Sequence, residues 1–388
     1  MVHDLTTSLR RDLHADPEVG LHLPRTQERV LAALDGLPLE ITLGRTTTAV
    51  TAVLRGARPG RSVLLRADMD ALPVVERTGL PFAADNGAMH ACGHDLHTAM
   101  LVGAAHVLSD QRHRLGGDVI FAFQPGEEGY DGAAHMIAEG LLDAAGPRPL
   151  AAFALHVTSA MLPSGTLASR PGPVMSAADR LRVTVHGQGG HGSAPHRARD
   201  PLLAAAAMVT ALPAAVTREF DVFDPVVVTV GTFHAGTAHN VIPDQAEFEA
   251  TVRSFTPYAQ QRLAEVLPRV CRSLAAAHGV EVVAEVETVF PPTLNDADET
   301  AFALAHAREV LGPDLVHVLP NALTGSEDFS RVLAEVPGAM VFLGATPPGL
   351  DPAAAPFNHA PEADFDEAVL ERGCGLYASL ATERLATA

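Results

Sequence analysis

The sequence predicts an α/β protein in which a larger domain is interrupted by a smaller one. Its 388 residues are enough for two domains, each with its own core. The first part of the chain alternates helical and strand patterns, which is typical of a sheet flanked by helices. The order of the patterns changes near residues 173–178. We therefore expect the larger domain over 1–177 and 292–388 and an inserted domain over 178–291.

The first part begins with two helical patterns, over 2–14 and 24–36. Short apolar runs that end in polar residues then indicate strands, and the stretch between the first two runs has helical periodicity. The strands are SVLLRAD (62–68), DVIFAFQP (118–125) and LAAFALHV (150–157), and the helix is LHTAMLVGAAHVL (96–108). In sheets of this kind, functional groups gather beyond the carboxyl ends of the strands.

The inserted segment has the order β-α-β-β-α-β, which predicts a ferredoxin-like α/β sandwich. Its strands are expected at RLRVTVHG (180–187), PVVVTVGTFH (225–234), QAEFEATVRSF (245–255) and VEVVAEVET (280–288), and its helices at 200–212 and 257–278. The segment FPPTLND (290–296) is interpreted as the return linker. The strand AMVFLGA (339–345) and a last helix after PEADFDEAV (361–369) then complete the larger domain.

Composition excludes several classes of protein. Hydrophobic residues make up 47% of the chain and charged residues 19%, which describes a globular protein. The net charge of −19 argues against a nucleic acid or an anionic membrane as a partner, because phosphate groups would be repelled. Cys92, Cys271 and Cys374 are odd in number and far apart, so they are not a disulfide framework. No signal peptide is visible and PLLAAAAMVTALPAAV (201–216) is short for a bilayer span, so we expect a cytoplasmic protein.

Four clusters of ionisable residues stand at strand ends or in loops. They are HACGHDLH (90–97), the glutamate pair in QPGEEG (124–129), the histidine in ALHV (154–157), and the histidine in FNHAP (357–361). Taken singly, each has a simpler interpretation as a core residue, a helix cap or a solvated turn. Together they indicate a metal site, since thiolate and imidazole ligands suit Zn²⁺ and also Mn²⁺, Co²⁺ or Ni²⁺.

These clusters lie within motifs that resemble a known enzyme superfamily over nearly the whole chain. In order, the motifs are RADMDALP (66–73), MHACGHDLHTAMLVGAA (89–105), QPGEEG (124–129), ALHV (154–157), GGHGSAPH (189–196), HNVIPDQAEFEATVR (239–253) and GSEDFS (325–330). They resemble the Cys-containing branch of the metal-dependent aminoacylase and carboxypeptidase amidohydrolases. That branch includes hippurate hydrolase, N-acyl-L-amino-acid amidohydrolase and auxin-conjugate hydrolase. In the wider superfamily a metal-binding histidine stands two residues before the first aspartate, where this chain has Arg66.

The resemblance implies a metallopeptidase-like catalytic domain that binds two divalent metal ions per chain, Mn, Zn, Co or Ni. The implied ligands are Cys92, His94, Glu128, His156 and His359, with Cys92 as the bridge between the two ions. Glu127 would be the general base, and Asp68 would orient a ligand histidine. His97 is expected to pack or form hydrogen bonds rather than to bind metal.

For the inserted domain the resemblance implies a lid and a dimerisation surface, and so a homodimer. His191 would stabilise the oxyanion, either within its own chain or across the dimer. Asn240 and Arg253 would hold the carboxylate or carbonyl of the substrate. Gly325 would let the backbone approach the substrate closely, unless it simply precedes a helix.

The expected reaction is hydrolysis of N-acyl or N-aroyl amino acids to a carboxylate and a free amino acid. A dipeptidase and an N-acyl-diaminopimelate deacylase are alternatives on the same site. A cysteine hydrolase, with Cys92 as nucleophile and His94 or His97 as base, would not need the glutamate pair. A non-catalytic metal- or ligand-binding protein is the remaining alternative.

Overall fold

The computed structural model describes residues 2–58 and 60–387, which fold into two compact units. Unit 1 comprises Met1–Val174, Leu294–Asn321 and Asp328–Ala388, and unit 2 comprises Met175–Thr293 and Ala322–Glu327. The chain therefore passes between the units four times rather than twice, because the short segment before Asp328 belongs to unit 2.

Helices and strands alternate along the chain. The α-helices are α1 (Val2–Ala15), α2 (Pro24–Leu34), α3 (His94–Asp110), α4 (Gly132–Ala138), α5 (Pro201–Glu219), α6 (Pro257–His278), α7 (Ala297–Leu311), α8 (Ser330–Leu333) and α9 (Val369–Ala386). The β-strands are β1 (Leu39–Leu43), β2 (Val50–Leu54), β3 (Ser62–Asp68), β4 (Asp118–Gln124), β5 (Ala151–Pro163), β6 (Leu167–Ser169), β7 (Gly172–Met175), β8 (Ala178–His186), β9 (Gly190–His191), β10 (Val227–Ala235), β11 (Val241–Ile242), β12 (Gln245–Arg253), β13 (Glu281–Phe290), β14 (Thr293–Asn295), β15 (Val316–Val318) and β16 (Gly338–Thr346). The predicted α/β fold class is confirmed.

Unit 1 is built on an eight-stranded mixed sheet with the order β1-β2-β4-β3-β5-β16-β6-β15. The central strands β4, β3, β5 and β16 run parallel to their neighbours in this group, so their carboxyl ends meet at one edge. Every residue of β3 and β4 is buried, which is why both appear in the sequence as continuous apolar runs. Helices α1, α2, α3 and α9 share one hydrophobic core with the sheet.

In unit 1, one predicted strand ends later in the structure and one predicted helix begins earlier. The strand predicted over 150–157 continues to Pro163, because β5 pairs with β16 as far as Thr346. The helix predicted over 96–108 already begins at His94. Gly93 precedes it with a φ of 84°, a left-handed conformation that glycine adopts without strain. The helix start therefore lies directly at the predicted metal ligands.

Unit 2 is a four-stranded antiparallel sheet with the order β10-β12-β8-β13, and α5 and α6 pack on it. This is the strand order of the predicted ferredoxin-like sandwich. Buried and exposed residues alternate along β12, as expected for a sheet with one face in the core. The side chain of Thr256 caps α6 by accepting a hydrogen bond from the backbone N–H of Ala259.

Helix α5 is longer than predicted. It extends to Glu219 although Pro213 lies inside it, and Asp200 caps its start by accepting the backbone N–H groups of Leu202 and Leu203. Among the described residues, α5 is the one helix that is long and apolar enough to span a membrane by length and composition. That property is weak grounds for a membrane span, because one face of α5 contributes to the core of unit 2.

Candidate metal centre

Unit 1 brings together all of the predicted metal ligands, the predicted base and Asp68. They are Asp68 at the end of β3, Glu127 and Glu128 after β4, His156 on β5, Cys92 and His94 at the start of α3, and His359 in the loop between β16 and α9. Parallel strands place the first four at one edge of the sheet.

The thiol of Cys92 lies at the centre of this group. Its Sγ atom is 3.2 Å from Nε2 of His359 and 3.6 Å from Nε2 of His156. The side-chain amide of Asn358 donates to the carbonyl oxygen of Cys92 over 3.2 Å. Burial opposes ionisation of the thiol, but His156, His359 and His94 outweigh it and hold the pKa of Cys92 well below its ordinary value. These neighbours favour the thiolate of Cys92, the form that binds metal.

Two histidines present Nε2 toward the thiolate region because Nδ1 is held by a backbone carbonyl. Nδ1 of His94 donates to the carbonyl oxygen of Asp70 over 2.8 Å, and Nδ1 of His156 donates to that of Val157 over 2.9 Å. Nε2 of His94 is buried and accepts no hydrogen bond from any described residue. Such an arrangement is typical of metal-binding histidines, whose second nitrogen is fixed by a hydrogen bond.

Glu128 and His359 form the other side of the group. Oε1 of Glu128 lies 3.1 Å from Nε2 of His359, and it accepts no well-aligned hydrogen bond within the described part of the chain. Burial and the nearby Cys92 thiolate raise the pKa of Glu128 to about 7. The nearby side chains of Cys92 and Glu128 raise the pKa of His359 to about 10. The backbone φ of His359 is 75°, an unusual value for a residue other than glycine.

The donor set fits two divalent ions. Atoms of Cys92, His94 and His156 lie within 4.8 Å of one another, and so do atoms of Cys92, Glu128 and His359. The two groups share the thiolate, which is consistent with Cys92 as a bridge. Bound cations would also satisfy the buried atoms of His94 and Glu128 that lack a hydrogen bond.

Glu127 lies beside the ligands. Oxygen or nitrogen atoms of Glu127, Glu128 and His94 come within 4.8 Å of one another. Both carboxylate oxygens of Asp70 fix this turn, since they accept the backbone N–H groups of Glu127 over 3.1 Å and of Glu128 over 3.0 Å. Asp70 is the second aspartate of the motif RADMDALP, and no pattern around it in the sequence predicts this role.

Asp68 lies closer to His97 than to the predicted metal ligand His94. Nδ1 of His97 donates to Oδ1 of Asp68 over 2.5 Å, and Nε2 accepts the backbone N–H of Val157 over 2.8 Å. Both ring nitrogens are therefore engaged, as expected for a histidine that does not bind metal. Oδ2 of Asp68 is 3.5 Å from Nε2 of His94 and accepts from Arg66 over 2.7 Å. Burial opposes ionisation of Asp68, but Arg66 and the histidines hold its pKa well below the usual range.

Arg66 connects Asp68 to the segment that follows the glutamate turn. Its guanidinium also donates to Oδ1 of Asp328 over 2.8 Å and to the side chain of Gln124 over 2.9 Å. Asp328 in turn accepts the backbone N–H of Ala133 at the start of α4 over 3.0 Å. The sequence analysis noted Arg66 only as a departure from the wider superfamily, and its partner lies too far along the chain for any local pattern to show.

The predicted substrate-binding residues all lie in unit 2, and His191 and Asn240 are neighbours there. His191 on β9 pairs with the residue after Asn240, and the amide of Gly192 donates to the carbonyl oxygen of Asn240 over 2.8 Å. The hydroxyl of Ser193 lies 2.8 Å from Nδ1 of His191. Both side chains are exposed to solvent.

Ser176 and Ala177 connect the backbone of Gly325 with that of Ser254, the residue after Arg253. Ser176 donates to the carbonyl oxygen of Gly325 from its backbone N–H over 2.9 Å and from its hydroxyl over 3.0 Å. The next amide, of Ala177, donates to the carbonyl oxygen of Ser254 over 2.7 Å. Nη1 of Arg253 is buried and has no hydrogen-bond partner in the described ranges.

Residues 64–383 match the model of peptidase family M20/M25/M40. The chain belongs to this family. A thermostable carboxypeptidase of Saccharolobus solfataricus is 36% identical over 98% of this chain and 96% of its own. An N-acetylcysteine deacetylase of Bacillus subtilis is 36% identical over 88% of each chain. The solved YXEP protein of Bacillus subtilis, a dinuclear metal-binding M20 peptidase, superposes with a TM-score of 0.86, at 32% identity over 100% of this chain and 99% of its own.

Membership of family M20 confirms the resemblance found in the sequence. The protein is a metal-dependent hydrolase of amide bonds. A cysteine hydrolase is the less supported alternative, since the YXEP protein is described as a dinuclear metal-binding peptidase and Cys92 lies in two groups of residues that could hold a metal ion.

A buried ionic network anchors the segment that carries two of the candidate ligands, Cys92 and His94. Asp95, the residue after His94, lies 2.9 Å from Nε of Arg10 and 2.8 Å from Nδ1 of His14. Nε2 of His14 is 3.1 Å from Glu76. Helix α1 is thereby held against the first turn of α3. Burial opposes protonation of His14, but Asp95 and Glu76 outweigh it and raise its pKa to about 9.

This network predicts that stability depends on pH. The folded pKa of His14 is raised from 6.5 to about 9, so its stabilisation is complete below pH 6.5 and is lost as the pH rises through about 9. The difference corresponds to roughly 3 kcal/mol. Urea unfolding of the wild type and of His14→Gln should therefore show a large gap in unfolding free energy at about pH 6 and a smaller one at about pH 10. A gap that does not change with pH would contradict the prediction.

Proposed function

We propose that this M20 hydrolase cleaves the amide bond of N-acyl or N-aroyl amino acids to give a carboxylate and a free amino acid. The observation that carries the proposal is the carboxylate of Glu127, buried beside a donor set that fits two divalent ions. A relative named for deacetylation of N-acetylcysteine supports an N-acyl amino acid as the substrate.

The proposed ligands are Cys92, His94, Glu128, His156 and His359, with Cys92 shared between the two ions. Bound divalent ions would polarise the amide carbonyl and favour ionisation of water. The side chain of Asp70 holds the backbone of both glutamates, which would keep the carboxylate of Glu128 among the proposed ligands and that of Glu127 beside them.

Glu127 is the proposed general base and acid. Its carboxylate would accept a proton from the attacking water as the new C–O bond forms at the amide carbon. It would then donate that proton to the amide nitrogen as the C–N bond breaks. The products are a carboxylic acid and an amine, so no other reactant is needed.

The substrate-binding residues are proposed in unit 2. Arg253 fits the carboxylate of the amino-acid half, because its Nη1 atom is buried and lacks a hydrogen-bond partner in the described chain. His191 is proposed to donate to the carbonyl oxygen as negative charge develops there, with Asn240 beside it. Gly325 is proposed to let the backbone approach the substrate, because glycine has no side chain to stand between them.

A second substrate class is peptides with a free carboxyl end. The thermostable carboxypeptidase is as similar to this chain as the deacetylase, and both substrate classes share an amide next to a carboxylate. A dipeptidase and an N-acyl-diaminopimelate deacylase remain the alternatives of this kind. The lid role of unit 2, a homodimer formed through it, and a cytoplasmic location stay predictions.

A substrate panel after metal exchange tests the proposal. The protein is stripped with a chelator and reloaded with Mn²⁺, Zn²⁺, Co²⁺ or Ni²⁺. Hippurate, N-acetyl amino acids, dipeptides and N-acyl-diaminopimelate are then compared by kcat/KM. We expect chelation to abolish activity, reloading to restore it, and the N-acyl amino acids to give the highest kcat/KM.

Three outcomes of the panel would contradict the proposal in different ways. Full activity without metal would exclude the metal mechanism. Higher kcat/KM for dipeptides would favour the peptidase alternative. No turnover of any amide by protein that holds its metal would favour the non-catalytic alternative.

A further inference from the structure

The two strands that flank the candidate metal centre separate just before they reach it. The pairing of β3 with β5 extends to Arg66 and Ala154 and no further among the described residues. On the outer sides the sheet continues, since β3 still pairs with β4 at Asp68 and β5 still pairs with β16 at Thr158. A gap therefore opens between β3 and β5 at the edge where the ligands gather.

Two side chains cross this gap in place of direct backbone hydrogen bonds. The hydroxyl of Tyr377 on α9 donates to the carbonyl oxygen of Arg66 over 2.6 Å and accepts the backbone N–H of Leu155 over 2.8 Å. Two residues further along each strand, His97 bridges Asp68 and the backbone N–H of Val157. Tyr377 and His97 are both completely buried.

The spacing between paired strands explains why the His97 bridge depends on the Tyr377 bridge. Paired backbones lie about 4.8 Å apart, which is too close for an imidazole ring with a hydrogen bond at each end. At the last paired position, the Tyr377 hydroxyl accepts the backbone N–H of Leu155 and donates to the carbonyl oxygen of Arg66. Without the hydroxyl, these two backbone groups would form a hydrogen bond with each other. The hydroxyl therefore keeps the strands apart at the level where His97 must enter.

We propose that Tyr377 is a positioning residue for the metal centre, because its hydroxyl opens the gap that places His97, Asp68 and His156. Tyr377 is not among the candidate ligands, so it acts through the strands. Without the hydroxyl, β3 and β5 can pair one step further, and the backbone on either side of His156 moves. The inference rests on the ligand set of the proposed function.

The test is Tyr377→Phe, which keeps the buried ring and removes both hydrogen bonds. Metal-free protein is titrated with Co²⁺ alone, and binding is followed by the absorption bands of cobalt bound to thiolate. We expect Co²⁺ affinity to fall by about tenfold or more, the range for residues that support a metal ligand, and the thiolate band to shift. Leu380→Ala is the matched control, because Leu380 is a buried residue of the same helix with no side-chain hydrogen-bonding group. It should lower stability but leave the cobalt spectrum unchanged.

The outcomes separate this inference from the proposed function. If the wild type binds no Co²⁺ through a thiolate, the ligand set is wrong. If the wild type binds and Tyr377→Phe has the same affinity and spectrum, the positioning role is wrong. A spectral shift of equal size in Leu380→Ala would also overturn it, since packing alone would then suffice. Should Tyr377→Phe fail to fold, Tyr377→Met is a second variant that fills the buried space without a hydroxyl, and an unchanged cobalt affinity and spectrum there would overturn the inference.

Discussion

Glu127→Gln is expected to lower kcat by about 10³-fold while the protein keeps its metal, because a group that transfers protons contributes roughly 10²–10⁴-fold. The amide has the size of the carboxylate but cannot accept a proton. The backbone contact of residue 127 with Asp70 does not depend on the side chain, so the turn should be preserved. Steady-state kinetics and elemental analysis on the same preparation measure the two effects.

The neighbouring variant Glu128→Gln is the matched control. Oε1 of Glu128 lies 3.1 Å from His359 and belongs to one of the two donor groups. This variant should therefore bind metal more weakly, and added metal should restore part of its activity. If Glu127→Gln loses metal and Glu128→Gln keeps it, the roles of the two glutamates are reversed.

Cys92→Ala is expected to weaken metal binding by more than about 100-fold, beyond the usual cost of losing a residue that only supports a ligand. The thiolate is the one donor shared by both groups, so its loss affects both ions. Metal content after dialysis should fall well below that of the wild type, and activity should fall with it.

Cys271→Ala controls for the loss of a buried thiol. Cys271 lies in the core of unit 2, and burial raises its pKa to about 11, so it is a neutral packing residue. This variant should keep both its metal and its kcat. If Cys92→Ala instead binds metal as the wild type does but has no activity at any metal concentration, Cys92 acts as a nucleophile and not as a ligand.

The sequence predicts that residues at the ends of parallel strands lie together in the candidate site. Asp68, Glu127 and Glu128 end or follow apolar runs, and the carboxyl ends of parallel strands meet at one edge. His156 lies near them although β5 continues to Pro163. His359 has no such signal, since it lies in a loop after β16. Its place in the ligand set came from the resemblance, and the structure puts its Nε2 atom 3.2 Å from the Cys92 thiol.

The residues that support the ligands could not be predicted in the same way. The sequence analysis expected Asp68 to orient a ligand histidine, and its nearest imidazole is that of His97. Asp70 was passed over although it holds both glutamate amides. Local patterns do not report such contacts, because each depends on where two separate strands or loops end in space.

The sequence by itself determined the α/β class, the interruption of one domain by another, and the chemical kinds of donor present, because periodicity and side-chain chemistry are properties of neighbours along the chain. Only the tertiary structure decided how the donors are oriented. Arg66 reaches Asp328 and Tyr377 reaches Arg66 across most of the chain, and these contacts require the packed sheet and, for Tyr377, the packed α9. A buried polar group must find a partner wherever the fold offers one, so the identity of that partner is a property of the whole fold.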